Sequence, residues 1–146
     1  MDILTALKKD HDEAKSLLDR IVKSKSGATR AELFAKFKSA LTKHSRAEEA
    51  MVYERLKPEG EAAKDFALEG SVEHEVADRL IADLSRARKK DSEEWTARVT
   101  VLKELLEHHI EEEEDDMFSE ARKAFEKPER EAMADEFEAA KQKVRA

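Results

Sequence analysis

Apolar residues recur along this chain at intervals of three and four. Leu4, Leu7, His11, Ala14, Leu18 and Ile21 follow that spacing, and so do Ala67, Gly70, His74, Ala77, Ile81 and Leu84. Phe34, Phe37, Leu41, His44, Met51 and Val52 share one helical face, as do Trp95, Val99, Leu102, Leu106 and His109. A period of 3.6 residues is that of a helix burying one stripe. Polar breaks fall at Ser26-Gly27-Ala28-Thr29, Lys57-Pro58-Glu59-Gly60, Lys89-Lys90-Asp91-Ser92 and Lys127-Pro128. Thr29 with Glu32 and Asp91 with Glu94 read as capping boxes, and Pro128 suits a first helical turn. The pattern predicts helices near 2–25, 30–56, 61–89, 92–126 and 129–144, with Gly70-Ser71 able to split the third. Long helices with short connections pack antiparallel. The expected fold is all-α: an up-down-up-down four-helix bundle over residues 1–126. A short additional C-terminal helix in 127–146 packs on the same domain or serves self-association.

Composition narrows the alternatives. The chain has 146 residues, enough for one core, with 43% charged and 5% aromatic residues, 3 Gly, 2 Pro and no Cys. So few turn-formers do not punctuate a many-stranded β fold. Without cysteine there are no disulfides, zinc ribbons, iron–sulfur clusters or thiol catalysis. Lys and Arg total 28 against 35 Asp and Glu, a net charge of −7, which argues against a nucleic-acid partner. No apolar run reaches bilayer length, and Met1 to Thr5 lacks a signal-peptide pattern, so the expectation is a cytoplasmic protein with no membrane partner, a monomer or weak homodimer.

A histidine lies inside every apolar stripe. The two halves also repeat: His11 and His74 are each followed by Ala at +3 and by apolar residues at +6, +7 and +10. His44 and His109 are each followed by Glu at +4 and +5 and by an aromatic residue at +9, namely Glu48, Glu49, Tyr53 and Glu113, Glu114, Phe118. Counted from the connecting loops, His11, His44, His74 and His109 stand at nearly one height in antiparallel helices. Four histidines falling in inward stripes by chance is on the order of one in a hundred. Glu48 and Glu113, one turn on, lie only ~40° around from their histidines and point into the same layer. Six such groups in an apolar core are costly unless a cation joins them. Imidazole with carboxylate suits iron, manganese or zinc better than calcium or magnesium. Four imidazoles and two carboxylates exceed the needs of one ion and fit two, bridged by Glu48 and Glu113.

These motifs together resemble the hemerythrin-like family of the His-His-Glu (HHE) cation-binding domain, in its bacterial single-domain type, over residues 6–120. Asp10-His11, His44 to Tyr53, Glu73-His74 and His109 to Phe118 carry the resemblance. It implies a four-helix bundle holding a non-haem pair of iron ions with an oxo or hydroxo bridge, meeting O2, H2O2 or NO. The O2-carrying members have a second histidine in the third helix, four residues from the first; here those flanking positions are Gly70 and Asp78. Asp78 and Tyr53 are the candidates to replace it, although Tyr53 sits ~180° from His44 on an ideal helix and needs local unwinding. His108 lies ~100° from His109 and reads as surface or as a support for a ligand. Glu49 reads as solvated or as holding a ligand histidine. Glu114 has the same two readings, plus a third in which a helix bulge brings it to the metal. Asp10, Asp12, Glu73 and Glu75 read mainly as surface charge. The functional expectation is breakdown of H2O2 or detoxification of NO or O2 at the open iron positions. The alternatives are reversible O2 binding or oxygen sensing, and iron storage or handling.

Overall fold

The computed structural model describes residues 1–146 and contains helices and no strand. Five long helices form the fold: α1 (Ile3–Lys23), α2 (Gly27–Glu48), α3 (Glu61–Arg86), α4 (Glu93–Glu112) and α5 (Lys127–Lys143). Their starts are set by short side chains that accept from orphan N–H groups. Asp2 caps α1, accepting from the N–H of Leu4 at 2.8 Å and of Thr5 at 3.2 Å. Ser26 caps α2 by accepting from Thr29 N–H at 3.2 Å, and Ser92 caps α4 by accepting from Trp95 N–H at 3.1 Å. The expected boxes at Thr29 and Asp91 are therefore corrected: the serines stand at the cap positions. α3 runs unbroken through Gly70-Ser71.

Two helices depart from regular geometry. α2 passes into a π-helical turn, Glu49–Tyr53, before a last α-helical piece, Glu54–Leu56, and a 3-10 turn, Lys57–Glu59. α4 likewise passes into a π-helical turn, Glu113–Met117, and continues as Phe118–Ala124. A π turn inserts one residue and rotates everything after it. Both turns begin just after the +4 carboxylate or at it, in matching places of the two halves.

α1 packs on α2 and α4, and α3 on α4 and α2, which is the up-down-up-down ring. The apolar core is in two parts. One cluster holds Leu18, Ile21, Phe34, Phe37, Ile81, Leu84, Trp95 and Leu102. The other holds Ile3, Leu7, Val52, Tyr53, Leu56, Met117 and Phe118, together with Met133, Ala134 and Phe137 of α5. Buried polar residues lie between them in sequence on all four helices. At the far end of the first cluster the buried Arg30 closes the C-terminus of α1. Its Nε donates to Ile21 O at 3.1 Å and Ser24 O at 2.8 Å, and its Nη1 to Lys90 O at 2.8 Å. A buried guanidinium is tolerated there because orphan carbonyls satisfy it. No helix is long and apolar enough to cross a membrane.

Candidate metal centre

His11, His44, Glu48, His74, His109 and Glu113 are all buried, and Glu48 is 0% exposed. The structure brings all six into one layer. The His11 and His44 ring centroids are 5.1 Å apart, and those of His74 and His109 are 5.0 Å apart. Each hairpin thus supplies one imidazole pair, as the sequence repeat predicts. Donor atoms of His11, His44, Glu48 and Glu113 lie within reach of one common point, and those of Glu48, His74 and His109 within reach of another. Glu48 belongs to both groups. Glu113 also approaches the second, with Oε2 3.3 Å from His109 Nε2.

Every one of the four imidazoles is held from outside by a carboxylate at Nδ1. Asp10 Oδ2 accepts from His44 at 2.9 Å and Glu49 Oε2 from His74 at 2.6 Å. Glu73 Oε1 accepts from His109 at 2.7 Å and Glu114 Oε2 from His11 at 2.8 Å. The ring closes on itself: each helix of the bundle supplies the carboxylate that holds the histidine of the next. A carboxylate on Nδ1 fixes the proton there and leaves the Nε2 lone pair directed inward. Inward, His11 Nε2 is 3.0 Å from Glu113 Oε1 and His74 Nε2 is 3.2 Å from Glu48 Oε1. Even so, His11 Nε2, His109 Nε2, both oxygens of Glu48 and Glu113 Oε1 have no aligned hydrogen-bond partner. Buried polar atoms left unpaired at one place are costly, and divalent cations resolve the cost with this donor set. The residues fit a metal site.

In the metal-free layer protons take the place of a cation. Burial opposes charge on the imidazoles, but Glu113 and Glu114 override it at His11, and Glu48 and Glu49 at His74. Both rise to about 9. His109 is likewise raised despite its burial, by Glu113 and Glu73. Burial and the neighbouring Glu113 charge push Glu48 up. At Glu113 burial pulls the same way, but the Glu48 carboxyl beside it and His109 outweigh it and bring the group well below the ordinary value. Stability follows with a definite sign. Histidines raised from 6.5 to about 9 contribute fully below pH 6.5, and their contribution is lost as pH rises through 9. Metal-free protein should therefore melt at falling temperature from pH 6.5 to 9 in the presence of chelator. Metal affinity should rise over the same window, because uptake displaces those protons. Melting curves and metal titrations at several pH values check both.

Tyr53 lies against the layer. The π turn swings it into the core, where it is 1% exposed, and its hydroxyl donates to Glu113 Oε2 at 2.7 Å. Its ring stacks on His74 at 5.5 Å. The space comes from Gly70: a Cβ there would stand 2.6 Å from Tyr53 Cζ. Burial and the carboxylates of Glu113 and Glu48 raise the Tyr53 phenol well above its ordinary value, so it keeps its proton at neutral pH. Gly70→Ala is expected to displace this ring and destabilise the protein by about 1–3 kcal/mol, as overpacking does. Denaturant unfolding checks it, and an unchanged midpoint would place the tyrosine elsewhere.

Asp78 is corrected as a ligand. It is half exposed and pairs with Arg46 at 3.0 Å. Arg46 in turn holds Glu49 at 3.0 Å, so Asp78 touches the layer only through two intermediaries. Glu114 is not brought to the layer's centre by the bulge; it turns outward to His11 Nδ1, on which Phe118 also stacks at 6.3 Å. Glu49 is not merely solvated, since it holds His74. His108 is exposed and pairs with Glu112 at 2.9 Å. Asp10 and Glu73, read from sequence as surface charge, are corrected to histidine-holding residues. The signal was present in the repeat: each stands one residue before a buried histidine at the same place in the two halves.

Comparison with known proteins comes to the same place. A family model described as the hemerythrin HHE cation binding domain matches residues 2–121. A protein of Nostoc sp. named DNA nickase is 26% identical over 147 aligned residues, covering 99% of this chain and 40% of that protein. The chain therefore spans well under half the length of this relative. No solved structure matches.

Proposed function

The chain belongs to the hemerythrin HHE cation-binding domain family, and from that premise we propose that it holds two iron ions and reacts with a small oxidant, H2O2 first and NO or O2 next. The observation that carries the reading is the inward convergence of four Nε2 atoms on Glu48 and Glu113, with each Nδ1 tied to a carboxylate. Bound iron supplies electron transfer to a small molecule at coordination positions the protein leaves open. His11, His44, Glu48 and Glu113 would hold one ion. His74, His109 and the shared carboxylates would hold the other, where Gly70 leaves one imidazole fewer. Tyr53 keeps its O–H and gives a hydrogen bond to Glu113 there. Phe118 and Phe137 wall His11 and His44 and keep bulk water from them. An incomplete donor set beside a hydrogen-bond donor favours peroxide breakdown over reversible carriage.

The test is O2 release from H2O2 by the iron-loaded protein. Rates above those of free iron support the reading, and rates no higher reject it. A stable oxy spectrum on aerating the reduced protein would instead favour reversible O2 binding or sensing; iron taken up without either result points to iron handling. His74→Ala is expected to lower the iron content, and His108→Ala to leave it near that of the parent, by metal analysis. Equal losses would place His108 among the ligands. The nickase name stays with the Nostoc protein. A cytoplasmic monomer or weak homodimer is proposed on the same footing.

A further inference from the structure

The four outward carboxylates are not equivalent. Glu73 carries no cation, Glu114 has Lys8 at 3.7 Å, and Glu49 has the half-exposed Arg46. Asp10 alone is held through both oxygens by one cation, Lys141 Nζ, at 3.1 Å to Oδ1 and 3.0 Å to Oδ2. Lys141 belongs to α5, outside the bundle and outside the residues matched by the family. The pair is 16% and 14% exposed, so water screens it little. Phe137, one turn earlier on α5 and 0% exposed, stands edge-on to His44 at 5.6 Å, and Lys141 Nζ sits 5.0 Å over its face. A groove of about 640 Å³ between α1, α2 and α5 has Asp10, His44 and Lys141 in its lining. Only one imidazole in the layer therefore has its outer partner fixed by the tail helix.

We propose that α5 is a working part of the metal centre: Lys141 is a positioning residue that acts through Asp10 on His44, so that the His11–His44 position depends on the tail helix and the His74–His109 position does not. The inference rests on the reading that the layer holds two ions. Physically, Asp10 must present one oxygen to Nδ1 in a fixed plane. A lysine bound to both oxygens fixes that plane and balances the half-buried charge that would otherwise draw water into the groove. Phe137 blocks the ring from swinging outward. The two positions, related by the sequence repeat, are made unequal by an element that has no counterpart in the repeat.

The experiment is a Co2+ titration of the full chain after chelation, followed by the visible absorption of the bound ion. The parent is expected to take up two equivalents with distinguishable spectra. Lys141→Met keeps Phe137 and Met133, and with them the docking of α5. It is expected to weaken one equivalent about tenfold and to shift its absorption, leaving the other untouched. Lys141→Arg should recover most of the affinity, and Lys143→Met, on the exposed side of α5, should change nothing. Two unchanged equivalents in Lys141→Met would overturn the inference, leaving an ion pair without influence on the layer. So would equal weakening of both with a lower melting temperature, which marks a general structural role. A parent chain that takes up no Co2+ overturns the two-ion reading itself, and the inference with it.

Discussion

Replacing Glu48 with alanine should take the metal content from about two ions per chain to well below one, while the helical circular dichroism is retained. Glu48 belongs to both donor groups, and neither of its oxygens has another partner. Its loss therefore takes a donor from both groups at once, which no single histidine substitution does. The same change should not weaken the metal-free protein as the loss of a core residue of that size normally would. A carboxyl at 0% exposure, pushed up by its burial and by Glu113, is a cost to the metal-free fold. The cavity left behind is thus set against relief of that cost. Metal analysis with parallel thermal melts reads both quantities. Retention of two ions by the variant would remove Glu48 from the centre of the layer.

Metal loading itself is the second large effect. A ligand that binds only the folded chain, at about a thousandfold over its Kd, stabilises by about 4 kcal/mol. For a chain of this length that corresponds to a rise in Tm of roughly 8–16 °C. The contribution falls on a layer that separates two apolar clusters and holds at least five unpartnered polar atoms. Scanning calorimetry with divalent iron under anaerobic conditions, against the same protein with chelator, measures it. The gap should widen from pH 6.5 to 9, because His11 and His74 lose their protons over that range and the metal-free state loses their contribution. Superimposable melts with and without metal would reject the cation reading.

Much of this was legible in the chain. The four histidines and Glu48 sit on regular helix and Glu113 opens a π turn, so up to that point a spacing of three or four residues maps directly onto a face, and the repeat doubled the signal. Tyr53 was legible only as a conflict: it lies on the wrong face of an ideal helix, and a π turn, which leaves no period, resolves it. Asp10, Glu49, Glu73 and Glu114 look like ordinary surface acids one by one. Each finds its histidine on a neighbouring helix, so their role depends on the rotation of two helices about their own axes. Asp78 failed for the same reason, since its helix face turns it to Arg46.

The local rule of helix period thus settles what the sequence alone determined: an all-α bundle and six buried groups at one height, with the motifs around them carrying the family resemblance. That rule is short-range, and every residue carries it. Only the tertiary structure decided which carboxylate holds which imidazole, how Gly70 makes room for Tyr53, and that Lys141 reaches Asp10 from 131 residues away. Those contacts are set by side-chain packing between helices and by two inserted π turns. No pattern along one helix encodes the angle at which it faces the next.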